Sequence, residues 1–273
     1  MTNGIINKFL QRFFPPKKVG LALSGGVARG IAHIGVLKVL KKHKIPIDYI
    51  AGASAGSMVG AFFAAGMDPE IIEMSAKKLG WFRFLRLIPG RQGPLLSNDL
   101  KKFVVEIIGD KKFSDLKIPL MVTACDLMTG MEVVIEKGKV AAAVAASCAF
   151  PGIFSPVEMD DYLLADGGIA NNLPTSLLKD IPVDMIIGVD VVPGGHMLKN
   201  APQNAFQLSG RALDLILHRL SEEGRKLADV LIEPEIPEDI WQLDVDETPR
   251  LIKCGEEAAE KKILEIKAKL ALT

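Results

Sequence analysis

The chain has 273 residues, of which 33 are Lys or Arg and 33 are Asp or Glu. That length can bury a full core in one large domain, and the balanced charge gives no global basic field to attract nucleic acid. Three cysteines (Cys125, Cys148, Cys254) stand in no ligand spacing and four histidines in no H-E-x-x-H arrangement, which argues against a metal site and suits reduced thiols in a cytosolic protein.

In chain order, Ile5, Ile6, Phe9, Leu10, Phe13 and Phe14 fall at helical spacing before Pro15-Pro16 stops the run. This amphipathic helix over residues 1–16 suits packing on the domain or on a partner subunit, and it also suits an interfacial membrane anchor. The first twenty residues show no continuous apolar stretch and no small-residue cleavage site, so no secretory signal is expected.

Val19 to Leu23 reads as a strand, followed at once by Ser24-Gly25-Gly26-Val27-Ala28-Arg29-Gly30 and a helix from Ile31 to His43. Strand, glycine-rich turn and helix make a phosphate-loop outline. The Gly-Lys-Ser/Thr ending of a nucleotide loop is missing, and so is G-x-G-x-x-G. What remains is a row of backbone N–H groups beside a helix N-terminus, which suits an oxyanion as well as a phosphate.

Pro46 to Ala51 reads as a short buried strand and Ser57 to Gly66 as a small-residue helix, with Gly52-Ala53-Ser54-Ala55-Gly56 between them. G-x-S-x-G at a strand-to-helix turn projects a serine Oγ out of the backbone, and the turn needs residues without bulk at 52 and 56. Tyr49–Met67 and Val140–Val157 carry no charge. The glycines of the first and the prolines of the second make buried core elements a better reading than membrane spans.

Trp81 to Ile88 mixes aromatic and basic residues between Gly80 and Pro89-Gly90. It suits a cap over an apolar cleft (80–97) or a lipid-facing patch, as well as an ordinary helix core. Pro119–Cys125 and Met131–Ile135 read as strands and Ala141–Cys148 as a helix. Tyr162–Ala165 reads as a strand running into Asp166-Gly167-Gly168, and Asn171-Asn172-Leu173-Pro174 opens a helix. Met185–Val191 is a strand, Phe206–Ala228 a helix, Val230–Glu233 a short strand and Pro249–Leu272 a long charged helix. The alternation predicts an α/β fold of one domain over 17–273, three-layer α/β/α with a central, mostly parallel sheet.

A serine nucleophile needs a base, usually a histidine oriented by a carboxylate. His33 lies in the first helix, His43 and His218 on polar helix faces, and His196 in a Gly-rich loop where a late hydrolase histidine would stand. Asp166, ending a strand before two glycines that allow close backbone approach, is the stronger candidate.

These motifs, in this order, resemble the patatin-like phospholipases: the glycine-rich turn at 24–30, G-x-S-x-G at 52–56 and Asp166-Gly167-Gly168. Ala32-His33-Ile34-Gly35-Val36-Leu37, Cys125 to Gly130, Ser147 to Phe154 and Asn171 to Pro174 are similar to bacterial members as well, so the likeness spans Val19 to Pro193. The resemblance implies a Ser54–Asp166 dyad without histidine. It implies an oxyanion hole from Gly25, Gly26, Val27 and Arg29, with Gly30, Gly52, Gly56, Gly167 and Gly168 supporting the turns. It further implies an acyl-enzyme, a lipid or acyl-ester substrate and no cofactor. Separately from the resemblance, the sparse cysteines suit a cytoplasmic protein, residues 1–16 and 81–88 suit peripheral contact at the inner membrane face, and the helix at 1–16 leaves room for a homodimer. An aspartate near its ordinary acidity is a weak base, so the scheme calls for an apolar site that raises it. Two departures stand out: Val27 occupies the place of a third glycine, although a β-branched residue takes φ > 0 with difficulty. The arginine often found near Ala145-Ala146 is also missing. An acyltransferase, or a catalytically silent regulator on the same fold, would keep the same motifs.

Overall fold

A computed structural model describes residues 17–78, 97–192, 201–241 and 244–271. The expected helix at 1–16, the segment 81–88 and His196 lie outside the described residues. The frame is an eight-stranded, mixed but mostly parallel sheet with helices on both sides. In chain order the strands are β1 (Val19–Leu23), β2 (Tyr49–Ala53), β3 (Leu120–Asp126), β4 (Glu132–Ile135), β5 (Val157–Met159), β6 (Tyr162–Asp166), β7 (Met185–Val189) and β8 (Val230–Ile232). The hydrogen-bonded path runs β5-β6-β3-β2-β1-β7-β8, and β4 pairs with β3. Strands β3, β2, β1, β7 and β8 are parallel, and every residue of β1 and β7 is buried. Burial on both faces explains why these two strands read as unbroken apolar runs.

The register on β3 positions the site. Strand β2 pairs in parallel with Leu120–Thr123, and β6 pairs antiparallel with Ala124–Asp126. Strand β4 covers Val122–Cys125 and overlaps both, so it takes the other edge of β3. Strands β2 and β6 therefore share one edge and run toward each other. Their last residues, Ala53 and Asp166, stand opposite the adjacent residues Thr123 and Ala124.

The helices are α1 (Ala32–Lys42), α2 (Ala55–Ala64), α3 (Pro69–Lys78), α4 (Ser97–Ile108), α5 (Val140–Ser147), α6 (Ser176–Lys179), α7 (Ala205–Leu220), α8 (Glu222–Leu227) and α9 (Thr248–Ala271). Several differ from expectation. Strand β2 starts three residues late and runs up to Ser54, and α2 starts at Ala55, two residues early, so the elbow is tighter than the pattern suggests. The glycine-rich turn closes as a 3-10 helix over Val27–Ile31 before α1. The single helix expected at 206–228 is two, interrupted at Ser221, whose buried hydroxyl accepts a hydrogen bond from Asn172 Nδ2. Helices α3 and α4 and strand β5 lie in stretches that the motif pattern leaves unassigned.

The long helix α9 packs across α1 at a glycine-to-glycine crossing. A Cβ on Gly35 would collide with the Ile252 carbonyl, and one on Gly255 with the Ala32 carbonyl. Among the described residues no helix is long and apolar enough to cross a membrane. The charge-free runs are instead β2 with α2, and α5 with the turn leading to β5.

Candidate functional site

Ser54 sits between β2 and α2 with φ 49° and ψ −125°, a left-handed conformation that is strained for a serine. Three hydrogen bonds hold the elbow there. Its N–H donates to Ser147 Oγ at 2.8 Å, the Ser57 hydroxyl donates to the Ser54 carbonyl at 2.7 Å, and the Met58 N–H donates to the same carbonyl at 3.2 Å. Close packing explains the second glycine of the motif, since a Cβ on Gly56 would collide with the carbonyls of Leu23 and Ser24. Gly56→Ala is therefore expected to push α2 away from β1. That overpacking costs about 1–3 kcal/mol, and the displacement of Ser54 is expected to lower ester hydrolysis by roughly 100-fold. Urea melts and ester hydrolysis measure the two effects separately.

Asp166 ends β6 and meets the serine from the opposite strand direction. The Ser54 hydroxyl donates to Asp166 Oδ2 at 2.5 Å, while the Gly168 N–H donates to Oδ1 at 2.8 Å. The Asp166 N–H is itself fixed, donating to the Ala149 carbonyl at 3.1 Å. Burial raises the Asp166 carboxyl to about 6, against the opposing pull of the bonds from Ser54 and Gly168. The apolar surroundings thus supply the raised basicity that a serine–aspartate pair calls for. The neighbouring Cys148 thiol is pushed far above its usual range by burial and by the Asp166 charge, which keeps it in the unreactive protonated form.

The glycine-rich turn lies against this pair: a Cβ on Gly25 would stand 3.2 Å from the Ser54 Cβ. The Gly25 N–H is already committed, donating to the Asn172 carbonyl at 3.1 Å. Gly26 and Val27 head the 3-10 turn, where the first N–H groups have no intrahelical acceptor. Val27 does adopt the left-handed conformation, φ 52°, in the glycine's usual place. For an L-residue this stores roughly 1–2 kcal/mol of strain.

Arg29 is engaged by α7 and the Ile240 segment. One guanidinium nitrogen donates to Asp214 Oδ1 at 2.5 Å and the other to the Ile240 carbonyl at 3.1 Å, with both side chains of the ion pair 6% exposed. These contacts brace the turn against α7 and the Ile240 segment.

The described histidines bond to groups other than Ser54 and Asp166. His33 donates from Nε2 to the Ser24 carbonyl at 2.9 Å, and burial lowers it to about 4, so it is neutral and holds the start of the turn. His43 pairs with Glu260 near the surface, and His218 Nδ1 accepts from Arg225 at 2.8 Å. Among the described residues no cluster of His, Cys, Asp and Glu could hold a metal ion.

Ser54 and Asp166 open into a cavity lined by apolar groups from the glycine-rich turn (Val27, Ile31), α1 (Ile34), α2 (Met58, Val59, Phe62), α3 (Ile72, Ala76) and the 148–154 turn (Phe150, Phe154). Three supporting residues have no site role assigned from the sequence: Ser147 and Asn172, which lie inside the segments similar to bacterial members, and Asp214. Asn172 joins the site through its backbone, and Asp214 acts on the turn from 185 residues away. Only pairing across the fold reveals either.

The family profile for patatin-like phospholipase matches residues 21–179. An uncharacterised NTE family protein of Mycobacterium tuberculosis is 38% identical over 177 residues, 64% of this chain and 49% of its own length. Lysophospholipase NTE1 of Candida albicans is 30% identical over 201 residues, 71% of this chain and 14% of its own. The chain thus spans at most about half the length of the curated relatives described here. The crystal structure of VipD from Legionella pneumophila shares the fold with TM-score 0.53 and 14% identity, over 93% of this chain and 67% of that one. With more than half the chain matched by the profile, and the ordered glycine turn, serine elbow and aspartate inside the match, the protein belongs to the patatin-like phospholipase family.

Proposed function

We propose that the chain is a serine hydrolase of lipid acyl esters, with Ser54 as nucleophile and Asp166 as general base. The observation that carries this reading is the 2.5 Å Ser54–Asp166 hydrogen bond in the wall of an apolar cavity, with the carboxyl near 6. At neutral pH a base of that strength is mostly ionised and ready to accept a proton.

As Ser54 Oγ attacks the ester carbonyl carbon, its proton passes to Asp166 Oδ2. The carbonyl oxygen becomes an anion, stabilised by the N–H groups of Gly26 and Val27. Collapse of the tetrahedral intermediate breaks the bond to the alcohol oxygen, which takes the proton back from Asp166, and the acyl group remains on Ser54. Water then repeats the sequence and releases the acid. The Gly25 N–H, engaged with Asn172, sets the height of the turn instead of binding the anion. The names of relatives such as a lysophospholipase support a lipid substrate.

The test combines a fluorophosphonate probe with a short-chain reporter ester. Wild-type protein is expected to label at Ser54 and to hydrolyse the ester, with kcat/KM rising as pH passes through about 6 and then levelling. Ser54→Ala should do neither. A folded Ser54→Ala protein with full esterase activity would sink the reading.

A further inference from the structure

The lining of the cavity beside Ser54 follows α2. Along α2 its lining comes from three successive turns: Ser54 and Ala55, then Met58 and Val59, then Phe62. From Ser54 to Phe62 is eight residues, about 12 Å at the helical rise of 1.5 Å per residue. Ile34 from α1 and Ile72 from α3 wall the same passage. The Phe62 side chain is 2% exposed, and its ring is backed by Phe103 of α4, with centroids 6.1 Å apart and planes inclined at 59°. Behind the Phe62 ring, then, is another aromatic side chain.

We infer that this passage is the acyl-chain site and that Phe62, braced by Phe103, is the stop that sets acyl length. The inference rests on the proposed hydrolase reading and adds its substrate class. An extended alkyl chain advances about 1.25 Å per carbon, so about 12 Å along α2 holds roughly ten carbons between Ser54 and Phe62. Esters of medium-chain acids fill the passage. Each methylene that enters the apolar lining contributes about fourfold in affinity, and carbons beyond the stop contribute nothing because they have no apolar wall to meet.

The experiment reads the passage both with and without catalysis. Binding of neutral 1-alkanols of about four to about fourteen carbons is titrated against wild-type protein and Phe62→Ala, and kcat/KM is measured for p-nitrophenyl esters of the same range. In the wild type, alkanol affinity should climb about fourfold per carbon and level off near ten carbons, and ester kcat/KM should peak at the same length. In Phe62→Ala the levelling point should move out by about two carbons or more, since the missing ring leaves space of that order. An even climb through fourteen carbons in the wild type overturns the inference, and so does an unchanged levelling point in a folded Phe62→Ala protein. The wild-type arm needs no variant to fold. If the esters are not hydrolysed but the alkanols level off near ten carbons, the hydrolase reading fails while the passage stands. If hydrolysis depends on Ser54 but no levelling appears, the stop fails alone.

Discussion

Asp166→Asn is expected to lower ester hydrolysis by at least about 10³-fold and, at the same time, to make the protein more stable at pH 8. The first effect follows from removing the proposed proton acceptor of Ser54; general-base catalysis is worth about 10²–10⁴-fold, and the described histidines are engaged with other groups. The second follows from linkage. The Asp166 carboxyl titrates near its ordinary 3.8 in the unfolded chain and near 6 when folded, so the fold favours its protonated form. That contribution is fully present below pH 3.8 and is lost as pH rises through about 6, leaving the wild type at pH 8 with a buried charge that costs about 3 kcal/mol. Asparagine carries no charge at any pH, can donate to Ser54 Oγ, and can still accept from the Gly168 N–H. Thermal melts should show Asp166→Asn above the wild type at pH 8, with the gap closing toward pH 4. Activity within tenfold of the wild type would remove Asp166 from the chemistry. Equal stability at pH 8 would mean the charge is better solvated than its burial indicates.

Arg29→Met is expected to cost about 3–5 kcal/mol, because it strips the guanidinium from a carboxylate held in the protein interior. Total stabilities of about 5–15 kcal/mol make that a large fraction. Asp214, 5% exposed, would lose the Arg29 guanidinium, and the Ile240 carbonyl would lose a donor. The double change Arg29→Met with Asp214→Leu should recover much of the loss, since replacing a buried ion pair by apolar groups is often near neutral. Urea unfolding of the three variants gives the comparison. A single Arg29→Met variant within about 1 kcal/mol of the wild type would show that the pair braces nothing.

Much of this site is legible in the sequence because its parts are local. A fully apolar β1 followed by glycines, a serine between two glycines, and an aspartate at a strand end each announce a turn whose backbone geometry depends on the residues within it. The tightness of the elbow is less legible: Ala55 as the first helical residue follows from the fit of α2 against β1, a tertiary matter. Helices α3 and α4 do have local signals, with Pro69 at a first helical position and Leu100, Phe103, Val104 and Ile108 on one buried face. The break at Ser221 has a distant cause, since Asn172 claims its hydroxyl. Likewise the commitment of the Gly25 N–H to Asn172, and of Arg29 to Asp214, joins segments far apart in sequence. No local pattern encodes such pairs.

The end-to-end meeting of β2 and β6 on one edge of β3 makes the proposed Ser54–Asp166 dyad a sensor of its own sheet. Ser54 rides on the parallel half, buried on both faces. Asp166 rides on β6, which is joined to β3 through three residues and on its other side to the short, half-exposed β5. A slip of β6 by one residue would turn the Asp166 carboxyl to the opposite face of the sheet, away from Ser54. Such a strand opens more readily than the central core. On gentle heating, hydrolysis should therefore fade before the far-ultraviolet circular dichroism of the parallel strands and their helices changes, and return on cooling. In this chain, loss of turnover would be an early report that the antiparallel end of the sheet has opened.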